Sequence, residues 1–268
     1  MLKDITLGQY FPGNSVIHRI DARIKLILTI LYIVMVFTAS TPCGYLVVFG
    51  FLTYVIAASR ISPRLILRSL RSLIIFIAIT ALLNIFFTPG ETVLFHWKFL
   101  TVTKEGLIFA LYMVLRVVFL IAGTSMLTYT TSPIMLTDGI ERLLSPLRVV
   151  HFPVHELAMM MTIALRFIPT LIDETDKIMA AQKARGADFE SGNLLRRAKA
   201  LIPLLIPLFV SAFRRADELA TAMECRCYQG GDGRTKYRVM KLRAADFVAL
   251  AVGIVLEAGI ILLKVYKL

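Results

Sequence analysis

Hydrophobic and polar positions divide this chain into uncharged runs and one long mixed stretch. Residues 26–59 contain no charged side chain. At about 1.5 Å per residue that run crosses a ~30 Å hydrocarbon core once generously or twice tightly. The turn tetrad Thr41-Pro42-Cys43-Gly44 decides for two crossings, near residues 22–40 and 44–60. A third apolar run, 73–87, stops at Pro89-Gly90, a fourth covers 106–127 and a fifth 247–263. From 131 to 231 the pattern changes: Leu157, Met160, Met161, Ala164, Ile168, Leu171 and Ile172 recur at helical spacing among charges, which marks amphipathic helices. We expect a short helix over 134–144, a long one over 154–185 kinked at Pro169, and another over 193–227 interrupted by Pro203 and Pro207. The middle of the last, 201–213, is nearly all apolar yet short of a span, so it lies against the membrane or packs inside the protein.

Composition changes the picture only in one respect. Among 268 residues 57% are hydrophobic and 18% charged, with a mean hydropathy of +0.75; that is too apolar for an ordinary soluble domain and describes an all-α integral membrane protein of about five transmembrane helices. The expected organisation is four spans in 1–130, an amphipathic-helix module in 131–232, and a linker with the final span in 233–268. A net charge of +12 would point to nucleic acid in a soluble chain. Here the cations collect between apolar runs, so no nucleic-acid partner is expected, and retention of cationic loops beside the lipid bilayer explains them.

Charge placement also orients the chain. Lys98 and Lys104 are the only cations in the two loops assigned outside, whereas the region 142–243 carries seventeen Lys or Arg residues. That asymmetry puts the N-terminus and the amphipathic module inside. No cleavable signal peptide is expected, because the first apolar run starts only at Ile24 and lacks a small-residue cleavage site. Arg60, Arg64, Arg68 and Arg71 follow the second span, three of them on one helical face, and read as a phosphate-facing stripe. The loop to Glu105 holds Trp97, an ordinary interfacial anchor. Within the spans stand two ionisable groups, Arg116 and Glu257. A charge pair between helices is the simple reading, and a proton or substrate relay the sharper one.

The mixed stretch contains a repeat. One helix closes on residues 176–186 and the next on 217–227; setting Arg185 against Arg226 also aligns Asp176 with Asp217 and Ala181 with Ala222. Each ending places Arg between small residues. Cations suit a helix C-terminus and Gly186 suits the left-handed residue after the last turn, so plain helix termination is one reading. The other is that each end enters a groove on a partner, where the guanidinium forks onto a carboxylate.

Ala184-Arg185-Gly186 and Cys225-Arg226-Cys227 resemble the paired Ala-Arg-Gly motifs of the transmembrane (T) component of energy-coupling factor transporters, ABC-type importers of vitamins and trace nutrients. The stretch 15–26, with His18, Asp21, Arg23 and Lys25, resembles that family's N-terminal signature, and Leu165-Arg166-Phe167-Ile168-Pro169 its mid-coupling stretch. The likeness spans roughly residues 15–230. Ala22 stands where the family usually has Pro, and Cys225 and Cys227 replace Ala and Gly; Gly230-Gly231 is expected to supply the missing helix-terminating glycine. The resemblance implies a non-catalytic scaffold in the cell membrane whose cytoplasmic helices couple two ATPase subunits (A and A′) to a substrate-binding S component. ATP would be bound by those partners, and this chain would bind no cofactor. Met159-Met160-Met161 would then offer an adaptable surface to the S component, or fill a core.

Other classes are weaker. A self-contained secondary transporter would rely on Arg116 and Glu257 for ion coupling. A membrane enzyme would need a nucleophile–base or metal constellation, and His18, His96, His151 and His155 are too scattered to form one. Cys225 and Cys227 lack nearby His or Cys partners for a metal, and 230–234 lacks the phosphate-cradling Gly-x-x-x-x-Gly-Lys spacing. No catalytic residue and no metal site is expected.

Overall fold

A computed structural model describes residues 10–89, 92–97, 100–150, 152–189, 193–230 and 242–266. Helices dominate. The polar N-terminal stretch contains a short helical turn, α1 (Val16–Arg19), capped by Ser15. α2 (Ala22–Thr38) starts on Asp21, whose carboxylate accepts the Arg23 amide. Ala22 is therefore the first helical residue, the one position that tolerates Pro and Ala alike, so its departure from the family pattern leaves the helix start unchanged. α3 (Pro42–Ser59) has Thr41 as N-cap and Pro42 in its first turn; the turn tetrad opens a helix as well as closing a loop.

Two features depart from the expected order. The third span is a broken pair, α4 (Pro63–Ser72) and α5 (Ile74–Phe87), bent by 62°. The loop before Glu105 holds an antiparallel hairpin, β1 (Val93–Trp97) with β2 (Leu100–Thr103), built from the β-branched and aromatic residues that suit strands. α6 (Lys104–Thr130), α7 (Pro133–Leu144), a 3-10 turn at Ser145–Val150, α8 (Val154–Ala184), α9 (Leu194–Glu224) and α10 (Ala244–Val265) complete the chain.

Among the described residues, α3, α6, α8 and α10 are long and apolar enough to cross a membrane, and the bent pair makes a fifth candidate. α2, at 17 residues, is slightly shorter. α8 was expected as a purely amphipathic helix outside the membrane; its first half is as apolar as a span, and Asp173, Glu174, Asp176, Lys177 and Lys183 gather in its second.

The chain divides into two compact units, residues 8–139 with 240–268, and residues 140–239 with 1–7. In the first, α6 packs on α2, α3, α4 and α5, and α2 packs on α3, α6 and α10. Lipid is as apolar as a Leu side chain, so such helices associate through close packing and internal polar bonds. Small residues make that packing possible here. A Cβ on Gly123 of α6 would stand 2.1 Å from the Tyr32 ring, and one on Gly253 of α10 would meet Leu28 and Leu31 at 2.8 and 2.9 Å. Tyr32 then donates its hydroxyl to the Phe119 carbonyl at 2.9 Å.

The prolines of α8 and α9 do not interrupt their helices. Pro207 has no N–H to give the Pro203 carbonyl one turn earlier. Gln182 of α8 supplies a donor instead, its amide nitrogen 3.4 Å from that oxygen.

Candidate functional site

The two arginine motifs are the same structure built twice. At the end of α8 the Gly186 amide donates to the Lys183 carbonyl and the Ala187 amide to Gln182, at 3.0 Å each; at the end of α9 the Cys227 amide donates to Glu224 at 2.8 Å and the Tyr228 amide to Met223 at 3.1 Å. Both are complete Schellman closures, with the residue after the arginine in the left-handed region. Gly186 has φ 86°, and Cys227 has φ 55°. The expectation that Gly230-Gly231 would end α9 is thus corrected: Cys227 turns the chain itself. A side chain there costs about 1–2 kcal/mol that glycine would not. Gly230, at φ 95°, lies past the closed end, and Gly231 lies outside the described residues.

Ala184, Arg185, Gly186, Cys225, Arg226 and Cys227 are all exposed. Neither arginine has an ion-pair or side-chain hydrogen-bond partner among the described residues. Each guanidinium is therefore presented at a rigid helix terminus with small neighbours around it.

α8 and α9 are held by a polar clamp. Glu174 accepts from the Ser211 hydroxyl at 2.5 Å and from Arg215 at 2.6 Å. Further along α8 comes the Gln182–Pro203 bond, so the helices run in opposite directions and their C-termini point away from each other. At about 1.5 Å per residue the two arginines stand roughly 35–40 Å apart along the pair. Arg166, in the mid-coupling stretch, is exposed on α8.

The structure does not bring Arg116 and Glu257 together. Arg116 reaches the Ala39 carbonyl at 3.4 Å and lies over the Phe37 ring, 5.7 Å from its centroid. Glu257 is buried, and among the described residues neither carboxyl oxygen has a hydrogen-bond partner. The arginine has found an aromatic face and a free helix-end carbonyl instead of an acid, which is enough to hold it within a packed bundle.

A second cluster was not legible as one. The Asp246 carboxylate, 1% exposed, accepts the Asp21 amide at 2.9 Å and the Arg243 amide at 2.7 Å, tying the starts of α2 and α10. Lys25, also buried, donates to the carbonyls of Thr130 and His18 at 2.9 and 3.3 Å and to the Thr131 hydroxyl at 3.1 Å, closing the C-terminus of α6. The N-terminal signature is thus a clasp at one end of the unit. His18 completes it: Nε2 faces the Phe11 carbonyl at 3.0 Å, and Nδ1 the Ser15 hydroxyl at 2.6 Å. Since a carbonyl only accepts, Nε2 carries the proton and Nδ1 accepts from Ser15. Burial pushes the His18 pKa down, against the Phe11 carbonyl and with help from the Lys25 charge. Beside the clasp an apolar cavity of about 490 Å³ opens among Ile20, Tyr32, Phe51, Val55, Met126 and Val252.

Cys43, Cys225 and Cys227 are exposed free thiols. Among the described residues no group of three His, Cys, Asp or Glu could hold a metal ion; His151 and residues 231–234 lie outside them.

Apolar helices of spanning length, joined in one chain to a pair of exposed helices with matched ends, define an all-α integral membrane protein. The chain belongs to the CbiQ family of cobalt transport proteins, whose model matches residues 13–237. It is 56% identical to the energy-coupling factor transporter transmembrane protein EcfT of Clostridium kluyveri over 267 residues, 99% of each chain. It is 54% identical to the EcfT of Acidaminococcus fermentans, covering 98% of this chain and 97% of the relative, and 49% identical to that of Heliobacterium modesticaldum over 100% and 99%.

Proposed function

We propose that this chain is the non-catalytic coupling scaffold of an ATP-driven importer of vitamins or other micronutrients. It joins two ATPase subunits (A and A′), one at Arg185 and one at Arg226, to a separate membrane S component that binds the cargo. The observation that supports this most is the duplicated Schellman end with an exposed arginine that has no partner among the described residues. Identical ends pointing apart suit two similar grooves on two similar subunits. ATP-driven approach of those subunits would move both helix ends, and α8 and α9, joined by the Glu174 clamp, would pass the motion to the S component as rigid levers. Exposed Met160 and Met161 suit an adaptable contact with that component. The family name refers to cobalt, but on this reading the cargo is chosen by another chain.

If each guanidinium meets a carboxylate in a partner groove, truncation leaves that charge unpaired and weakens the interface by roughly 2–5 kcal/mol. If each only caps its own helix, the loss is about 0.3–1 kcal/mol. Arg185→Ala and Arg226→Ala are therefore expected to impair ATPase co-purification and uptake, the double variant more than either, while Arg214→Ala in mid-helix behaves as wild type. Lys at either position recovers only part, because an ammonium lacks the two-pronged geometry. Wild-type assembly and uptake by the double variant would end this reading. Orientation has its own test: an impermeant thiol reagent on intact cells is expected to spare Cys225 and Cys227, and labelling of either from outside would invert the assignment.

A further inference from the structure

α4 carries a surface that neither the helix ends nor the clasp uses. Arg60, at φ 58° after α3, is followed by Arg64, Arg68 and Arg71, and all four are exposed. No Asp or Glu occurs between Asp21 and Glu91. Among the described residues none of the four guanidiniums makes an ion pair or a side-chain hydrogen bond. The opposite face of α4 is fastened down. Ile66 is buried, as is Ile61 just ahead of the helix, and Ser69 shares a 2.7 Å hydrogen bond with the buried Tyr129 of α6, so the stripe is held in one orientation.

Depth comes from covalent continuity. Only Leu73 separates α4 from α5. Ile74, Ile75 and Phe76 are 59–72% exposed, on a helix whose 14 residues contain no charge. The apolar face of α5 belongs in hydrocarbon, and the 62° bend lays α4 across the boundary of that layer. Leu67, 62% exposed, stands among the arginines, a mixture suited to the headgroup region.

We propose that α4 is a binding site for anionic phospholipid headgroups, with Arg64, Arg68 and Arg71 as ligands to lipid phosphates and Arg60 as a flanking cation. Arg64 and Arg71 are about 10 Å apart along the helix, so the stripe engages more than one headgroup. Fixed in this way, α4 anchors the broken α4–α5 pair at the membrane surface.

The experiment extracts the full chain, with whatever subunits accompany it, from nanodiscs of mixed phosphatidylglycerol and phosphatidylcholine and measures retained lipid by native mass spectrometry. Wild type is expected to retain phosphatidylglycerol about tenfold or more over phosphatidylcholine, since each cation near an anionic surface contributes severalfold, and to lose much of that preference at about 0.5 M salt. The Arg64→Gln, Arg68→Gln, Arg71→Gln variant is expected to show almost none, and the matching Lys variant most of it. Should the triple Gln variant misfold, the three single Gln variants serve, each expected to lose roughly threefold. No preference in wild type, or an undiminished preference in well-folded Gln variants, overturns the proposal. So does a Gln variant that keeps its lipid but sheds an accompanying subunit, which would make the stripe a docking face for an acidic protein.

Discussion

The two units of this chain are stabilised in different ways. Every buried member of the main hydrophobic core, from Tyr32 and Met35 through Phe119 to Ile260, lies in the unit of residues 8–139 and 240–268. The unit of residues 140–239 buries only Glu141, Val154, Ala158 and Leu204 among its described residues, while Ile206, Phe209 and Phe213 stay 59–71% exposed. One unit closes its own packing around α2 and α6. The other leaves most of its apolar residues on the surface, and its side-chain ties include the Glu174 clamp, the Gln182–Pro203 bond and a Glu141–His155 contact at 3.1 Å. So large an exposed apolar face in a native chain calls for lipid or another protein. A region that needs partners to cover it is well placed to respond to them.

The largest test of this contrast falls on the self-contained unit. Asp246→Ala removes the acceptor from two backbone amides, at Asp21 and Arg243. Each unsatisfied buried donor costs about 1–3 kcal/mol, so the variant is expected to lose roughly 2–5 kcal/mol and to melt well below wild type in detergent. Asp246→Asn, which keeps one acceptor, is expected to lose about half. Melting unchanged in Asp246→Ala would show that the clasp does not hold the unit together.

A smaller effect comes from the packing of α2. Gly123→Ala drives a methyl into the Tyr32 ring and is expected to destabilise by about 1–3 kcal/mol, as overpacking does. Gly259, also in a helix of this unit, has open space at its Cβ position. Its change to Ala is expected to be neutral or to stabilise by up to about 1 kcal/mol. Equal melting of the two variants would refute the close approach of α2 and α6.

In the open unit the corresponding changes are local and weaker. Cys227→Gly relieves a left-handed residue and is expected to tighten the end of α9 by about 1 kcal/mol, read as slower hydrogen exchange at the Tyr228 and Cys227 amides. Cys227→Val should fray the same amides. If Gly and Val protect equally, the Schellman end at Cys227 is not formed in solution.

The smallest effect is one of pH. The fold favours neutral His18, so its pKa lies below the ordinary 6.5; the associated stability is present above about pH 6.5 and is lost as pH falls through the lowered value. Amide exchange over residues 10–20, corrected for intrinsic rates, is expected to quicken between pH 7.5 and 5.5, and His18→Gln to flatten that dependence. Exchange that slows on acidification would reverse the assignment.

Much of this was legible in the chain. The uncharged run, the Pro42 turn and the apolar stretch around Glu257 predicted spans that α2, α3 and α10 occupy within a few residues. The alignment of Arg185 with Arg226 anticipated two equivalent helix ends. The break at Leu73 was harder to see, because an arginine-bearing amphipathic helix and an apolar one adjoin there without a Gly or Pro between them. The hairpin at 93–103 fell inside a segment too short for a periodic signal to stand out. Gly230-Gly231 misled for a simple reason: glycine is the usual left-handed residue, but the position depends on where the last helical hydrogen bonds close, and they close at Cys227.

The sequence by itself determined the membrane class, the helical periodicities and the twin arginine ends, because hydropathy and helix termination act over a few neighbouring residues. Only the tertiary structure decided that Asp246 ties the starts of two helices 225 positions apart, that Lys25 closes α6, that Arg116 turns to Phe37 and Ala39 and leaves Glu257 alone, and that Gln182 meets the carbonyl left free by Pro207. Each of these depends on which helix faces meet and at what height, and that choice is made by the packing of small residues such as Gly123 and Gly253 against α2. No local pattern along the chain records it.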